Sequence, residues 1–160
     1  MNLPACYRCG CQPCTCRDGI TLYHADCRDV LPLLEKVDLV LTDPPYGLGI
    51  DYASYDDTEE NLREIIGLLP RLLELGTVVA VTPGITNIAK WPQSDWVLIW
   101  HWSHTRSRGK WGFRQWQPII VWGADPHKYK TDVLTGTKFE PRIKGHPCSK
   151  QLPLWKKIIQ

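Results

Sequence analysis

The apolar run Val37–Thr42 (Val-Asp-Leu-Val-Leu-Thr) stops abruptly at Asp43-Pro44-Pro45-Tyr46-Gly47. A near-continuous apolar segment with β-branched members predicts a central strand covered on both faces. Two prolines in a row cannot continue a hydrogen-bonded ladder, so the chain must leave the sheet there. The result is an acidic side chain placed at the carboxyl end of a buried strand, followed by a rigid turn and an aromatic ring. Thr77–Thr82 repeats the pattern and is ended by Pro83-Gly84.

The rest of the chain supplies partners for these strands. The stretch from Ile20 opens with an alternation that predicts a short strand, and Asp26 sits where it gives way to a short helix. Residues 48–58 read as an exposed loop. Asp57, three residues ahead of Glu60, resembles a capping box. Leu62, Ile65, Ile66, Leu69, Leu72 and Leu73 follow helical spacing, with Pro70 dividing the helix and Gly76 capping it. A short helix is expected near Thr86–Lys90, and another starts at Leu152. Trp96–Trp102 and Pro118–Trp122 read as two further strands. Strands alternating with helices argue for an α/β sheet. In such sheets, ligands bind beyond the carboxyl ends of the strands.

Charge and aromatic residues are unevenly distributed. Residues 1–100 carry 7 Lys/Arg and 14 Asp/Glu, a net of −7, whereas residues 101–160 carry 12 and 3, a net of +9. A basic half of this kind suits a polyanionic partner. Six of the eight Trp lie between Trp96 and Trp122, interleaved with Arg106, Arg108, Lys110 and Arg114. Trp100, Trp102 and Trp122 fall inside strand-like runs and are expected in the core. Trp111 belongs to the polar, basic connection Ser103–Gln117, where an aromatic beside cations suits an unstacked base and its phosphates. No apolar run approaches the roughly 18–20 residues needed to cross a bilayer. Met1–Cys16 lacks the apolar core of a secretory signal, so a soluble, cytoplasmic protein with no membrane partner is expected.

Residues 1–18 form a Cys-rich segment holding Cys6, Cys9, Cys11, Cys14 and Cys16. With no sign of secretion, a disulfide framework is not expected. The Cys-x-x-Cys spacings can supply four thiolates to a structural Zn²⁺. Only Gly10 separates Cys9 from Cys11, so one of the five would be surplus.

Asp43, the proline carbonyls and the Tyr46 ring together suit the exocyclic amino group of a nucleobase. Such a nitrogen is conjugated to its ring and is a poor nucleophile. Acceptors on its hydrogens draw it toward tetrahedral geometry, and in-line methyl transfer then depends on proximity and alignment.

Asp43-Pro44-Pro45-Tyr46 after an apolar run resembles the catalytic tetrapeptide of the amino-directed DNA methyltransferases, which act on adenine N6 or cytosine N4. Leu22-Tyr23-His24-Ala25-Asp26, continuing to Leu31, is similar to the family's upstream acidic segment, with Ala25 where Gly is usual. Gly145-His146-Pro147-Cys148-Ser149-Lys150-Gln151-Leu152-Pro153-Leu154 is similar to the His-Pro-x-x-Lys-Pro-Leu segment that leads into the cofactor site, with Gln151 for Pro. The resemblance covers about residues 20–160.

The resemblance implies a Rossmann-like methyltransferase sheet in permuted order and S-adenosylmethionine as methyl donor. It implies Asp43, Pro44, Pro45 and Tyr46 at the target amino group, with adenine favoured. It also implies Asp26, Asp43, His146 and Pro147 at the cofactor, where Lys150 could pair with a carboxylate. Arg106, Arg108, Lys110, Trp111 and Arg114, within a basic region at about 103–145, would face DNA with its target base flipped from the stack. In the permuted order a Gly-rich cofactor loop follows the His-Pro segment. The expectation is therefore a partial sheet in residues 19–160, lacking the strand of that loop and its neighbour. A complementing chain or a further C-terminal portion would supply them. The alternatives are a non-catalytic DNA-binding remnant and, more remotely, a metal-dependent adaptor built on the cysteines.

Overall fold

A computed structural model describes residues 2–52, 55–102, 108–123, 131–136 and 152–159. Its elements in chain order are α1 (Cys27–Val30), β1 (Val37–Thr42), β2 (Asp51–Tyr52), β3 (Tyr55–Asp56), α2 (Glu59–Gly67), α3 (Leu69–Leu75), β4 (Gly76–Val81), β5 (Trp96–Trp102), β6 (Arg108–Gly109), β7 (Gly112–Phe113), β8 (Trp116–Trp122), β9 (Val133–Gly136) and α4 (Leu152–Ile159). Short 3-10 turns occupy Leu31–Leu33 and Ile85–Lys90.

Five strands form one mixed sheet in the order β1-β4-β8-β5-β9. β1 and β4 are parallel and in register from Val37↔Gly76 to Thr42↔Val81, so their carboxyl ends lie side by side. β8 runs antiparallel to both β4 and β5. Its first residues, Trp116 and Gln117, therefore reach the same edge at which β1 and β4 end. β9 is parallel to β5.

Alternation along the strands separates two cores, as the pleat requires. Val79, Val81, Ile120 and Trp122 face Leu69 and Leu72 of α3. Ala80, Ile119, Val121 and Trp100 face Leu154 and Ile158 of α4, an i,i+4 pair. Trp100 and Trp122 are core residues as expected, and Trp102 packs partly buried against the second core.

Several local expectations change. Ile20–His24 is not a strand. It runs as irregular chain beside the Cys-rich segment, where Tyr7 donates its backbone N–H to the Leu22 carbonyl at 2.6 Å. The 48–58 loop contains a small antiparallel pair, β2 with β3. Thr58, not Asp57, caps α2 by accepting from the Asn61 N–H. β8 begins at Trp116, two residues before the expected start. The β4 ladder ends at Ile120, so Pro118 interrupts no pairing on that side. Gly76 does follow the helix, but with φ at −101° rather than a left-handed cap. A Cβ there would lie 2.8 Å from Val40 Cγ2, so glycine is required by the close approach of β4 to β1.

Candidate active site at the carboxyl ends of two parallel strands

Asp43 directly follows β1, and Thr82 directly follows β4. The Thr82 N–H donates to the Thr42 carbonyl at 3.1 Å, carrying the parallel pairing one step beyond the strands. That step brings the Thr82 hydroxyl onto Asp43 Oδ1 at 2.5 Å. Tyr46 turns back through the diproline and donates its hydroxyl to the same oxygen at 2.9 Å. Gln117, delivered by β8, donates from Nε2 to the Tyr46 hydroxyl at 3.1 Å. The ends of β1 and β4 thus meet at one carboxylate, and β8 reaches it through the Tyr46 hydroxyl. Pro44 is buried, while Asp43, Pro45 and Tyr46 are half-buried, so the acid stands at the rim of the sheet rather than inside it.

The Tyr46 ring is fixed on other sides as well. Asn87, only 1% exposed, donates Nδ2 to the Tyr46 carbonyl at 2.8 Å. Gly84 has φ at +74°, and a Cβ there would lie 3.1 Å from two ring carbons. Glycine is thus required at 84 twice, by its backbone conformation and by its contact with the ring.

The segment after Tyr46 is organised by one buried acid. Asp57, 4% exposed, accepts backbone N–H bonds from Gly47 at 2.6 Å and from Leu48 and Ile50 at 3.0 Å. An acid accepting several backbone donors is a strong, charge-assisted anchor. Sequence reasoning missed this role, along with those of Thr82, Gly84, Asn87 and Gln117. The available signal was Thr82-Pro83-Gly84, which ends the buried strand β4 just as Asp43-Pro44 ends β1, expected to be central and covered on both faces but found half-buried at the end of the described sheet.

Asp26 is the N-cap of α1, and Oδ1 accepts the Arg28 N–H at 2.8 Å. The Arg28 guanidinium grips the same carboxylate, Nη2 to Oδ2 at 2.7 Å, and reaches Glu64 at 2.8 Å. The Arg28 hydrogen bonds hold the Asp26 carboxyl down to about 2. Asp26 is exposed, and its carboxylate is engaged by Arg28.

Of the residues expected at DNA, Arg108 opens β6 of the small β6–β7 hairpin, and Lys110 and Trp111 form its turn. Trp111 is 101% exposed and Phe113 65%, with Lys110 and Arg114 exposed beside them. Arg106, and His146, Pro147 and Lys150 of the expected cofactor segment, lie outside the described residues.

At the N-terminus, the structure brings together Cys6, Cys9, Cys14 and Cys16, whose sulfurs all lie within 4.8 Å of one another. Cys11 is not among them. It is exposed, and its thiol donates to the Cys9 carbonyl at 3.4 Å.

Comparison with known proteins places the fold. No family model matches the sequence. A 41-residue stretch is 49% identical to "Type II methyltransferase M.MjaVI" of Methanocaldococcus jannaschii, spanning 26% of this chain and 21% of that relative. The solved "M1.HpyAVI-SAM complex" superposes with a TM-score of 0.55 at 19% identity, covering 86% of this chain and 74% of that one. With a mixed five-stranded sheet between helices, the chain has the Rossmann-like fold of a methyltransferase and is similar over one segment to a type II methyltransferase.

Proposed function

We propose that this chain builds the target-base side of an S-adenosylmethionine-dependent DNA methyltransferase. The base edge is an exocyclic amino group, adenine N6 in preference to cytosine N4. The observation that carries the reading is the hydrogen bonding of Thr82 and Tyr46 to Asp43 at the carboxyl rim of β1 and β4, with Gln117 holding the Tyr46 hydroxyl. Ligands of α/β sheets bind at such a rim.

In this reading Asp43 accepts one amino hydrogen and the Pro44 carbonyl accepts the other. Thr82 and Tyr46 both donate to Oδ1 and so set the orientation of the Asp43 carboxylate. Withdrawing both hydrogens from the ring plane localises the nitrogen lone pair for an in-line attack. That nitrogen would be placed for in-line attack on the methyl group a bound donor would supply, and Asp43 would stand beside it to take the proton the methylated amino group sheds. The Tyr46 ring, held by its hydroxyl, its carbonyl and Gly84, is the surface on which the extruded base stacks. Asp57 fixes the backbone that follows that ring by accepting from Gly47, Leu48 and Ile50.

Among the described residues, Asp43 is the one placed to meet the donor. The Asp43 carboxylate at the rim suits a cationic sulfonium, whereas both oxygens of Asp26 are engaged by Arg28. Bound there, S-adenosylmethionine supplies an electrophilic methyl group. The β6–β7 hairpin, with Trp111 at its tip and Lys110 and Arg114 beside it, is the part of the surface that suits a nucleic-acid backbone.

Transfer of tritiated methyl groups to DNA lacking both methylated bases tests the reading. Asp43-dependent label that elutes as N6-methyladenine after nucleoside digestion supports it. Label in N4-methylcytosine reassigns the base. Salt-sensitive DNA binding with no Asp43-dependent label, even when the chain is extended through a Gly-rich cofactor loop, instead favours the non-catalytic DNA-binding remnant, which the basic second half motivates.

A further inference from the structure

We propose that Cys6, Cys9, Cys14 and Cys16 form a tetrahedral four-thiolate zinc centre, with Cys11 outside it. The sulfur separations carry the argument. Zn–S bonds of about 2.3 Å at tetrahedral angles place sulfurs about 3.8 Å apart. Here Cys9 Sγ and Cys14 Sγ are 3.8 Å apart, and Cys6 Sγ and Cys16 Sγ are 4.0 Å apart. Disulfide bonding requires about 2.05 Å, so these are not pairs of that kind. All four sulfurs fall within one 4.8 Å group, and one of them, Cys6, is 2% exposed.

The backbone around the sulfurs is shaped to hold an ion. The Cys6–Cys9 segment forms a tight turn closed by the Gly10 N–H on the Cys6 carbonyl at 2.7 Å. Gly10 takes φ at +69°, which redirects the chain so that Cys11 leaves the cluster. Cys6 N–H donates to the Cys11 carbonyl at 3.0 Å, so Cys11 contributes its backbone to the turn rather than its sulfur. On the other side, the Cys16 N–H points to Cys14 Sγ at 3.4 Å, the kind of donor that steadies a metal-bound thiolate. The second ligand pair is therefore Cys14-x-Cys16, not the Cys11-x-x-Cys14 spacing visible in the sequence. Four sulfur donors in tetrahedral array select zinc among the common divalent ions.

The centre fastens the N-terminal segment onto the chain that enters α1. Tyr7 pairs with Leu22 through the backbone, Cys14 Sγ lies 3.7 Å from the Ile20 carbonyl, and the Tyr7 ring meets His24 edge-on at 5.1 Å. Arg8 and Asp18 close the segment with an ion pair at 2.7 Å. Zinc here is structural, and its loss would release residues 20–24.

The test is metal analysis of the full chain, purified under reducing conditions without chelator from zinc-supplemented medium. About one zinc per chain is expected for the native protein and for Cys11→Ser, and a loss of most of it for Cys9→Ser and Cys14→Ser. Should the ligand variants fail to fold, cobalt titration of the metal-stripped native protein and of Cys11→Ser decides the matter. Tetrahedral d–d bands with thiolate-to-cobalt charge transfer, equal in both proteins, support the assignment. Substoichiometric metal with no such cobalt spectrum, loss of metal in Cys11→Ser, or iron in place of zinc would overturn it.

Discussion

The Tyr46 hydroxyl donates to Asp43 Oδ1 at 2.9 Å, across the two intervening prolines. This bond joins the two side chains that the proposed chemistry needs, and it sets the orientation of both. Tyr46→Phe keeps the ring but removes the donor to Asp43 and the acceptor for Gln117. The expected result is a stability loss of about 1 kcal/mol in urea unfolding, typical of one net hydrogen bond, with a larger proportional loss of methyl transfer. Tyr46→Ala removes the ring too and should abolish transfer.

Asp57 should be worth more to the fold than any exposed acid nearby. Asp57→Ala strands the N–H groups of Gly47, Leu48 and Ile50 beneath a side chain that is 4% exposed. A destabilisation of about 3 kcal/mol is expected in urea unfolding, against a few tenths for Asp56→Ala. Equal small effects would show that the loop is not organised by Asp57.

Gly84→Ala combines a positive φ of +74° with a Cβ placed 3.1 Å from the Tyr46 ring. A loss of about 1–3 kcal/mol is expected from the backbone alone. The diagnostic result is a fall in methyl transfer beyond that of a Gly49→Ala control. Gly49 also has positive φ, but nothing lies within 4 Å of a Cβ there.

Asp26 provides a pH prediction. Its carboxyl is held down to about 2 by the Arg28 hydrogen bonds, below the unfolded value of about 3.9. A depressed acid contributes stability that is fully present above its unfolded pKa and is lost as pH falls toward its folded pKa. The contribution should therefore fade between about pH 4 and pH 2, and its exposed position keeps it small. Carboxyl-detected titration of Asp26 should show the low midpoint, and Arg28→Ala should return it toward the unfolded value.

Trp111 and its neighbours should govern DNA affinity without governing the fold. Trp111→Ala is expected to weaken DNA binding about 10-fold, within the roughly 1–3 kcal/mol of one stacked base, with unfolding unchanged. Lys110→Ala and Arg114→Ala should each reduce the slope of log affinity against log salt by about 0.9. Unchanged slopes would remove the hairpin from the interface.

The strands and the acidic turn were legible because they depend on local physics. Apolar β-branched runs and consecutive prolines specify β1, β4 and the exit at Asp43 wherever they occur. The partners of Tyr46 were not legible. Gln117 arrives only because β8 inserts antiparallel between β4 and β5, a pairing no local pattern encodes. Asn87 reaches the Tyr46 carbonyl from a turn 41 residues away. Asp57 was misread because a capping box and a loop anchor begin with the same residue type, and Thr58 took the cap. Five cysteines indicated a metal but not which four, since the choice rests on the left-handed turn at Gly10.

Nucleoside analysis of the DNA of a host without its own methylated adenine or cytosine, carrying this coding sequence in its native flanks, tests the central claim most directly. N6-methyladenine should accumulate with the native Asp43 and be absent with Asp43→Ala at equal protein level. Methylated adenine that persists in the Asp43→Ala strain, or DNA without any methylated base in the native strain, would contradict the account.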